Sequence, residues 1–156
     1  MTTTDNNRYL CFNVANEEFG IPLLNVKEVI GYPDITPVPQ TPPHFLGIMN
    51  LRGNVISVLD MRLKIGQKAN KSDETTVMIL DLGGFNLGVV VDCVNSVIAI
   101  QPEHLSPRPV IESSKNTEYI TSVYRKDDRL ILFVDIAKAL SVDDYASIKK
   151  QAKSAA

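Results

Sequence analysis

The sequence predicts a mainly β fold in which two small, five-stranded β-barrels share one hydrophobic core. Apolar residues recur in short alternating runs, as they do in half-buried strands, and the pattern of the first half of the chain returns in the second half. Barrels of about 65 residues are only marginally stable alone. We therefore expect the two barrels to bury a common apolar seam, with a groove running along it.

The internal repeat is found by comparing the sequence with itself. At an offset of 68 residues, the apolar positions of residues 10–30 fall on those of residues 78–98. At an offset of 75 residues, residues 55–61 fall on residues 130–136. Each half then contains two strands, a proline-bearing connection and a hairpin, which suits a small closed or nearly closed barrel. The two halves are therefore predicted to superimpose.

The first subdomain is predicted at about residues 8–65. It begins with a strand at residues 8–14, in which apolar and polar side chains alternate, and a second strand follows a short turn. Residues 23–26 fit either a helix or a strand. Residues 31–44 hold five of the nine prolines, which fix φ and remove hydrogen-bond donors, so this connection is predicted to be ordered and extended.

The hairpin at residues 45–64 is the most distinctive stretch of the chain. Two apolar runs flank the turn Leu51-Arg52-Gly53-Asn54, and glycine and asparagine tolerate the positive φ that a tight turn needs. The strands beside Arg52 are too apolar to be half solvated, so we expect its guanidinium to be displayed from a rigid base. An ordinary solvated turn residue is the alternative interpretation.

The second subdomain is predicted at about residues 75–140. It follows a polar stretch, 66–73, that is typical of a surface loop. A hairpin comes first, with one arm at residues 75–82 and a long second arm at 85–100. After another proline-bearing connection, the last hairpin turns at the charged residues 125–129.

A terminal helix is predicted at about residues 141–152. Ser141 and Asp144 have the spacing of a capping box, and Lys149 and Lys150 lie where the helix dipole is negative. We interpret these lysines as a solvated face matched to the dipole, and not as a membrane or nucleic acid site.

Composition limits the possible functions. The chain of 156 residues has a formal net charge of -2, which gives no reason to expect a polyanionic partner. A small-barrel nucleic-acid-binding module is an alternative that would need a basic groove with stacking aromatics. No signal peptide and no run of about 18 apolar residues is found, so we expect a cytoplasmic protein without direct membrane insertion. Cys11 and Cys93 are interpreted as small buried hydrophobes.

No set of residues is typical of an enzyme. His44 and His104 lie in separate connections, and no His, Cys or acidic cluster has the spacing of metal ligands. We therefore expect no catalytic residue, no metal and no other cofactor. Residues 83–88 are rich in glycine, but no Lys-Ser or Lys-Thr follows them as in a phosphate-binding loop. Asp60 and Asp135 end apolar strands and are expected to cap the backbone.

Five motifs together resemble the CheW family of bacterial chemotaxis coupling proteins, and the likeness covers nearly the whole chain. The motifs are EFGI at 18–21, VKEVIGY at 26–32, GIMNLRG at 47–53, VLDMR at 58–62 and LGVVVD at 87–92. The resemblance implies a single domain, 1–156, built from two five-stranded SH3-like barrels around a shared core. It also implies an adaptor without enzymatic activity.

The resemblance further implies two partners at membrane-associated receptor arrays. These are the cytoplasmic hairpin tip of chemoreceptors, the methyl-accepting chemotaxis proteins, and the regulatory domain of the histidine kinase CheA. A CheW-like coupler of a related array that controls surface motility or pili is the alternative. The implied receptor-binding positions lie along the groove between barrels: Val26, Glu28, Gly47, Arg52, Val94 and Val97. The implied kinase-binding positions are Leu23, Val29, Ser106 and Ile111.

Overall fold

The computed structural model describes residues 7–64, 74–107 and 119–140, together with Asp144, Ala146 and Ile148. The strands in this part of the chain are β1 Arg8–Val14, β2 Glu17–Pro22, β3 Val26–Gly31, β4 Phe45–Leu51, β5 Asn54–Asp60, β6 Thr76–Asp81, β7 Asn86–Val91, β8 Cys93–Ala99, β9 Leu105–Pro107, β10 Ile120–Lys126 and β11 Arg129–Val134. Three short helical segments lie between strands in these ranges, Leu23–Asn25, Met61–Lys64 and Pro102–His104, and a further one, Ile136–Ala139, follows β11. The predicted mainly β fold is confirmed.

The strands form two sheets with the same internal order. Sheet 1 has the order β3-β6-β7-β5-β4, and sheet 2 has the order β8-β1-β2-β11-β10-β9. Neighbouring strands are antiparallel except for β5 with β7 in sheet 1 and β11 with β2 in sheet 2, which are parallel. Strands β3, β6, β7, β5 and β4 thus correspond to β8, β1, β2, β11 and β10.

The two halves of the chain exchange their first hairpins. The β1–β2 hairpin comes from the first half but pairs with β8 and β11, whereas the β6–β7 hairpin comes from the second half but pairs with β3 and β5. Each sheet therefore combines strands from both predicted subdomains, 8–65 and 75–140. Hydrophobic periodicity reveals the repeat, and the two sheets share one strand order. Periodicity carries no information on which half of the chain supplies a strand's neighbours.

The correspondence between the sheets extends to single residues. Val26 and Glu28 pair with Leu80 and Ile79 across a bulge in sheet 1. At the same place in sheet 2, Val94 and Ser96 pair with Phe12 and Cys11 across a bulge. Bulges also coincide between Phe45 and Gly47 in β4 and between Ile120 and Ser122 in β10. Glu28 and Ser96 therefore occupy equivalent places, each directly after a bulge in its edge strand.

The predicted long arm at residues 85–100 is two strands. β7 belongs to sheet 1 and β8 to sheet 2, and the chain crosses between the sheets at Asp92. The Asp92 N–H donates to the carbonyl of Asn13 over 3.0 Å, and its carboxylate accepts a 2.7 Å bond from the Ala15 N–H. These bonds fix the crossing against the β1–β2 turn, and the residue pattern of 85–100 alone did not reveal this contact between distant segments.

The shared hydrophobic core lies between the two sheets. Alternate residues of β1 face different surroundings: Leu10, Phe12 and Val14 pack into the shared core, whereas Cys11 lies inside sheet 2 with Ile131. The alternation in β6 is equivalent, so each exchanged hairpin is covered on both faces. Residues of both halves fill the shared core: Leu10, Phe12, Val14, Phe19, Ile21, Phe45, Leu59, Met61, Met78, Leu80, Leu87, Val89, Val91, Ile120, Val134, Ile136, Leu140 and Ile148.

Each sheet also curls around a small core of its own. Sheet 1 encloses aliphatic side chains and one thioether: Met49, Ile56, Val58, Val77, Ile79 and Val90. Sheet 2 encloses an aromatic stack, in which the Phe133 ring lies 4.1 Å from that of Tyr9 and 5.7 Å from that of Tyr124. Cys11 in this core is a free cysteine, and burial raises the pKa of its thiol to about 11, so it is an inert packing residue.

Asp144 is bound by side chains from the first half of the chain. This carboxylate is fully buried, accepts a 2.8 Å bond from Lys64 Nζ and contacts His44 Nε2. Asp144, Ala146 and Ile148 are helical, whereas the rest of the predicted terminal helix at about 141–152 lies outside the described residues, as does the predicted loop at 66–73. In the described ranges, no helix is long and apolar enough to cross a membrane.

Replacing Phe12 by alanine tests the shared core. Phe12 is fully buried and packs with residues of both sheets, so Phe12→Ala is expected to lower the free energy of unfolding by about 3 to 5 kcal/mol. Leu130→Ala is the control, because Leu130 is 45% exposed and its truncation should change the free energy by less than about 0.5 kcal/mol. Urea denaturation followed by circular dichroism measures both. Equal effects of the two substitutions would contradict the assignment of this core.

Candidate partner-binding site

The turn between β4 and β5 displays Arg52. Arg52 and Gly53 both have positive φ, 52° and 87°, which is the geometry of a two-residue type I′ hairpin turn. The Gly53 N–H donates to Asn50 Oδ1 over 2.9 Å and closes the turn. An arginine at positive φ is uncommon, so the backbone here is held by the flanking strands. The side chain of Arg52 is 69% exposed.

Arg52 forms a forked ion pair with Glu28 of β3. Arg52 Nη2 donates to Glu28 Oε2, and Nη1 lies 3.4 Å from Oε1. The hydrogen bond and the charge of Glu28 raise the pKa of Arg52. The family resemblance implied both residues as receptor-binding positions, but the sequence did not reveal that they contact each other. The exposed surface at this point is therefore a paired carboxylate and guanidinium, and not a free arginine.

The ion pair joins the two ends of sheet 1. β3 and β4 are the outermost strands in the hydrogen-bonded order, yet Glu28 on one meets the turn that follows the other. A second link lies in the proline-bearing connection, where Thr36 and Ile48 exchange backbone hydrogen bonds of 2.8 and 2.9 Å. Sheet 1 is thus curled until its ends nearly meet, as in a small barrel.

Gly47 permits this closure. Its φ of 145° is a conformation that other residues rarely adopt, and a Cβ at this position would overlap the carbonyl group of Thr36 and lie 2.9 Å from Pro37 Cα. Gly47 is buried, so it contributes through its close approach to Thr36 instead of presenting a side chain to a partner.

The CheW-like domain family model matches residues 8–144. The chain belongs to this family. Chemotaxis protein CheW of Klebsiella aerogenes is 37% identical over 94% of this chain and 89% of that protein. Chemotaxis protein CheW of Helicobacter pylori is 30% identical over 87% of this chain and 82% of that protein. The crystal structure of the scaffolding protein TtCheW from Thermoanaerobacter tengcongensis matches with a TM-score of 0.80 and 28% identity, covering 89% of this chain and 95% of that one.

Two motifs that carry the likeness to CheW meet in a buried ionic cluster. Arg62 is 3% exposed and donates from Nε and Nη2 to the two oxygens of Asp60 over 3.0 and 2.9 Å. Its Nη1 donates to Asp92 Oδ1 over 3.1 Å. Since Asp92 also binds the Ala15 N–H, the cluster ties the end of β5 in sheet 1 to the β1–β2 turn of sheet 2. The sequence predicted that Asp60 caps the backbone, and its bond from the Arg62 N–H confirms this role. The sequence did not show the link to Asp92.

The remaining receptor-binding candidates lie on equivalent edge strands. Val26 is partly buried against the shared core on β3, close in sequence to Glu28. Val94 is its equivalent on β8 and also packs against the shared core, while Val97 on the same strand is 47% exposed. β3 and β8 end different sheets, so these positions are divided between the two halves of the fold.

The kinase-binding candidates fall in two separate parts of the chain. Leu23 is partly buried in the short helical segment before β3, and Val29 is 41% exposed on β3. Ser106 is exposed on the short edge strand β9, and Ile111 lies outside the described residues. Leu24, 63% exposed beside Leu23, was not among the candidates, although its place in the apolar run 23–30 could have marked it.

Gly47→Ala tests the closure of sheet 1. The added methyl group is expected to force Thr36 away and to lower the free energy of unfolding by about 1 to 3 kcal/mol, because the clash is with backbone. Gly31→Ala is the matched control, since no atom lies within 4 Å of a Cβ at Gly31. Chemical denaturation of both variants is the measurement. A Gly47→Ala variant as stable as Gly31→Ala would show that the close approach to Thr36 is not needed.

Proposed function

We propose that this CheW-like domain is a non-enzymatic adaptor that couples chemoreceptors to the histidine kinase CheA. Membership of the family supports the general role, and the names of its relatives place them in chemotaxis. The observation that carries the proposal is the exposed Arg52–Glu28 pair, which holds a guanidinium and a carboxylate at the surface where the two ends of sheet 1 meet. The protein would act at cytoplasmic receptor arrays.

The receptor surface in this proposal is centred on the ion pair. Charged side chains that are held in one geometry lose little conformational entropy on binding, so a receptor helix can exchange or share their hydrogen bonds at low cost. Val26 lies beside Glu28 and supplies apolar contact. Val94 and Val97 extend the surface on the equivalent strand of sheet 2, with Val97 available to solvent.

The kinase surface in this proposal is apolar and lies around the start of β3. Leu24 and Val29, five positions apart in the sequence, each expose a large hydrophobic side chain there, and a patch of exposed apolar groups is typical of a protein interaction site. Leu23 would support Leu24 from the shared core. Ser106, exposed on β9, is the candidate for a second kinase contact.

Substituting Arg52 tests the receptor surface. Arg52→Ala is expected to keep its melting temperature, because exposed ion pairs contribute little to stability, and to bind receptor signalling fragments about tenfold to a hundredfold more weakly. Arg125→Ala is the matched control, since Arg125 is an exposed arginine beside the equivalent turn of sheet 2. Calorimetric titration measures affinity for receptor fragments and, separately, for the kinase regulatory domain.

A double variant, Glu28→Arg with Arg52→Glu, swaps the two charges and makes this experiment more specific. It retains an ion pair between the two ends of sheet 1 but reverses the charges that a receptor meets. Loss of receptor binding with normal kinase binding is the expected result. Unchanged receptor affinity in both Arg52→Ala and the exchanged pair would contradict the proposed surface.

A further inference from the structure

Strand β8 carries two of the receptor-binding candidates, Val94 and Val97, on one face of sheet 2. Val94 pairs with Phe12 of β1, and Val97 pairs with Leu10. Residues that lie directly opposite each other in antiparallel strands have their side chains on the same face. Leu10 and Phe12 both face the shared core, so the two valines lie on that face as well.

This common face depends on one extra residue in β8. Side chains of a regular strand alternate between its faces, so two residues three positions apart would point in opposite directions. The register of β8 with β1 shifts between Val94 and Ser96, which leaves Asn95 as the extra residue of a bulge. The bulge reverses the alternation and brings Val94 and Val97 together.

A polar network surrounds the bulge. Asn95 Nδ2 donates to Glu18 Oε2 over 3.0 Å and to Asn13 Oδ1 over 2.9 Å. Arg129 donates from Nε and Nη2 to the two oxygens of Glu18 over 2.8 and 2.7 Å, and its Nη2 lies 3.5 Å from Ser96 Oγ. The hydrogen bonds from Arg129 lower the pKa of Glu18. Asn95 is thus linked to β1, β2 and β11.

The bulge of β3 in sheet 1 is held in an equivalent way. Glu28 directly follows that bulge and is bound by Arg52. Ser96 directly follows the bulge of β8, and the guanidinium of Arg129 lies beside it, fixed by Glu18. A single exposed ion pair contributes little, but a forked pair within a network holds one geometry. Each edge strand therefore has an arginine at its bulge.

We propose that Glu18, Asn95 and Arg129 are positioning residues for the receptor surface, because they fix the bulge that places Val94 and Val97 on one face. This inference rests on the receptor surface proposed above. The three residues act without touching the receptor: they hold the valines in place before binding, so less conformational freedom is lost on docking. Without the network, β8 can slip by one residue, which turns Val97 to the other face.

Glu18→Ala removes the centre of the network. In the full chain, we expect it to weaken binding of receptor signalling fragments about threefold to tenfold, measured by calorimetric titration. The nuclear Overhauser contact between Leu10 and Val97 should weaken as well, since it reports the register of β8. Glu17→Ala is the matched control: its carboxylate is exposed on the same strand, and its removal should change neither quantity.

Deletion of Asn95 provides a rescue that a merely structural role would not predict. It makes β8 a regular strand in which the two valines are separated by one residue, so they share a face without the network. Added to Glu18→Ala, the deletion should restore the contact between Leu10 and Val97 and most of the receptor affinity. If Glu18→Ala does not fold, Asn95→Ala takes its place, because Asn95 is exposed, and is compared with the deletion alone.

Two results would overturn the inference. One is an unchanged Leu10–Val97 contact with unchanged receptor affinity in the folded network variant, and the other is failure of the deletion to restore both in a folded chain. Val97→Ala separates these results from a failure of the receptor surface itself. Unchanged receptor affinity in Val97→Ala would contradict that surface, whereas the Leu10–Val97 contact in Glu18→Ala still decides whether the network positions β8.

Discussion

The exchange of hairpins between the two halves is the constraint on which the rest of this structure depends. β1–β2 and β6–β7 each complete a sheet that the other half of the chain began, and their opposite faces meet in the shared core. Neither half can keep its sheet if the other unfolds. A chain of this size would otherwise divide into two barrels that are each too small to be stable.

The closed end of sheet 1 follows from that constraint. Glu28 stands on β3, which is held in place by β6 from the other half, and Arg52 stands on the turn after β4. The two meet only because the sheet curls through all five of its strands. The Arg62 cluster lies elsewhere, at Asp92, where the chain crosses from sheet 1 to sheet 2. Breaking a buried ion pair leaves one charge buried without its partner, which is costly. The cluster therefore holds the two sheets in one arrangement.

Much of the fold could be predicted from the sequence, because periodicity reports which face of a strand is buried. Alternation alone places Leu10 and Cys11 on different faces of β1. The offset of the repeat makes Glu28 equivalent to Ser96. Strand neighbours could not be predicted this way, since pairing between distant segments leaves no trace in one sequence. The break at Asp92 was missed for the same reason: its hydrogen bonds go to residues about 80 positions away.

The site was predicted in part. Arg52 was found because a charged residue on a turn between two apolar strands is unusual, and Glu28 because of the family motif. Their contact and the buried role of Gly47 both depend on how the ends of sheet 1 approach each other, which is a property of curvature. The sequence specifies that curvature only through bulges, and these become visible when the registers of the two sheets are compared.

Native-state hydrogen exchange tests the interlocked arrangement most directly. Buried amides of sheet 1, such as Val77 and Val89, and of sheet 2, such as Leu10 and Phe133, should exchange with one common free energy equal to that of global unfolding. Added denaturant should lower the exchange free energies of all these amides with the same slope. Exchange of one sheet through an opening that leaves the other protected would contradict the account, because it would show that a barrel can unfold without its partner.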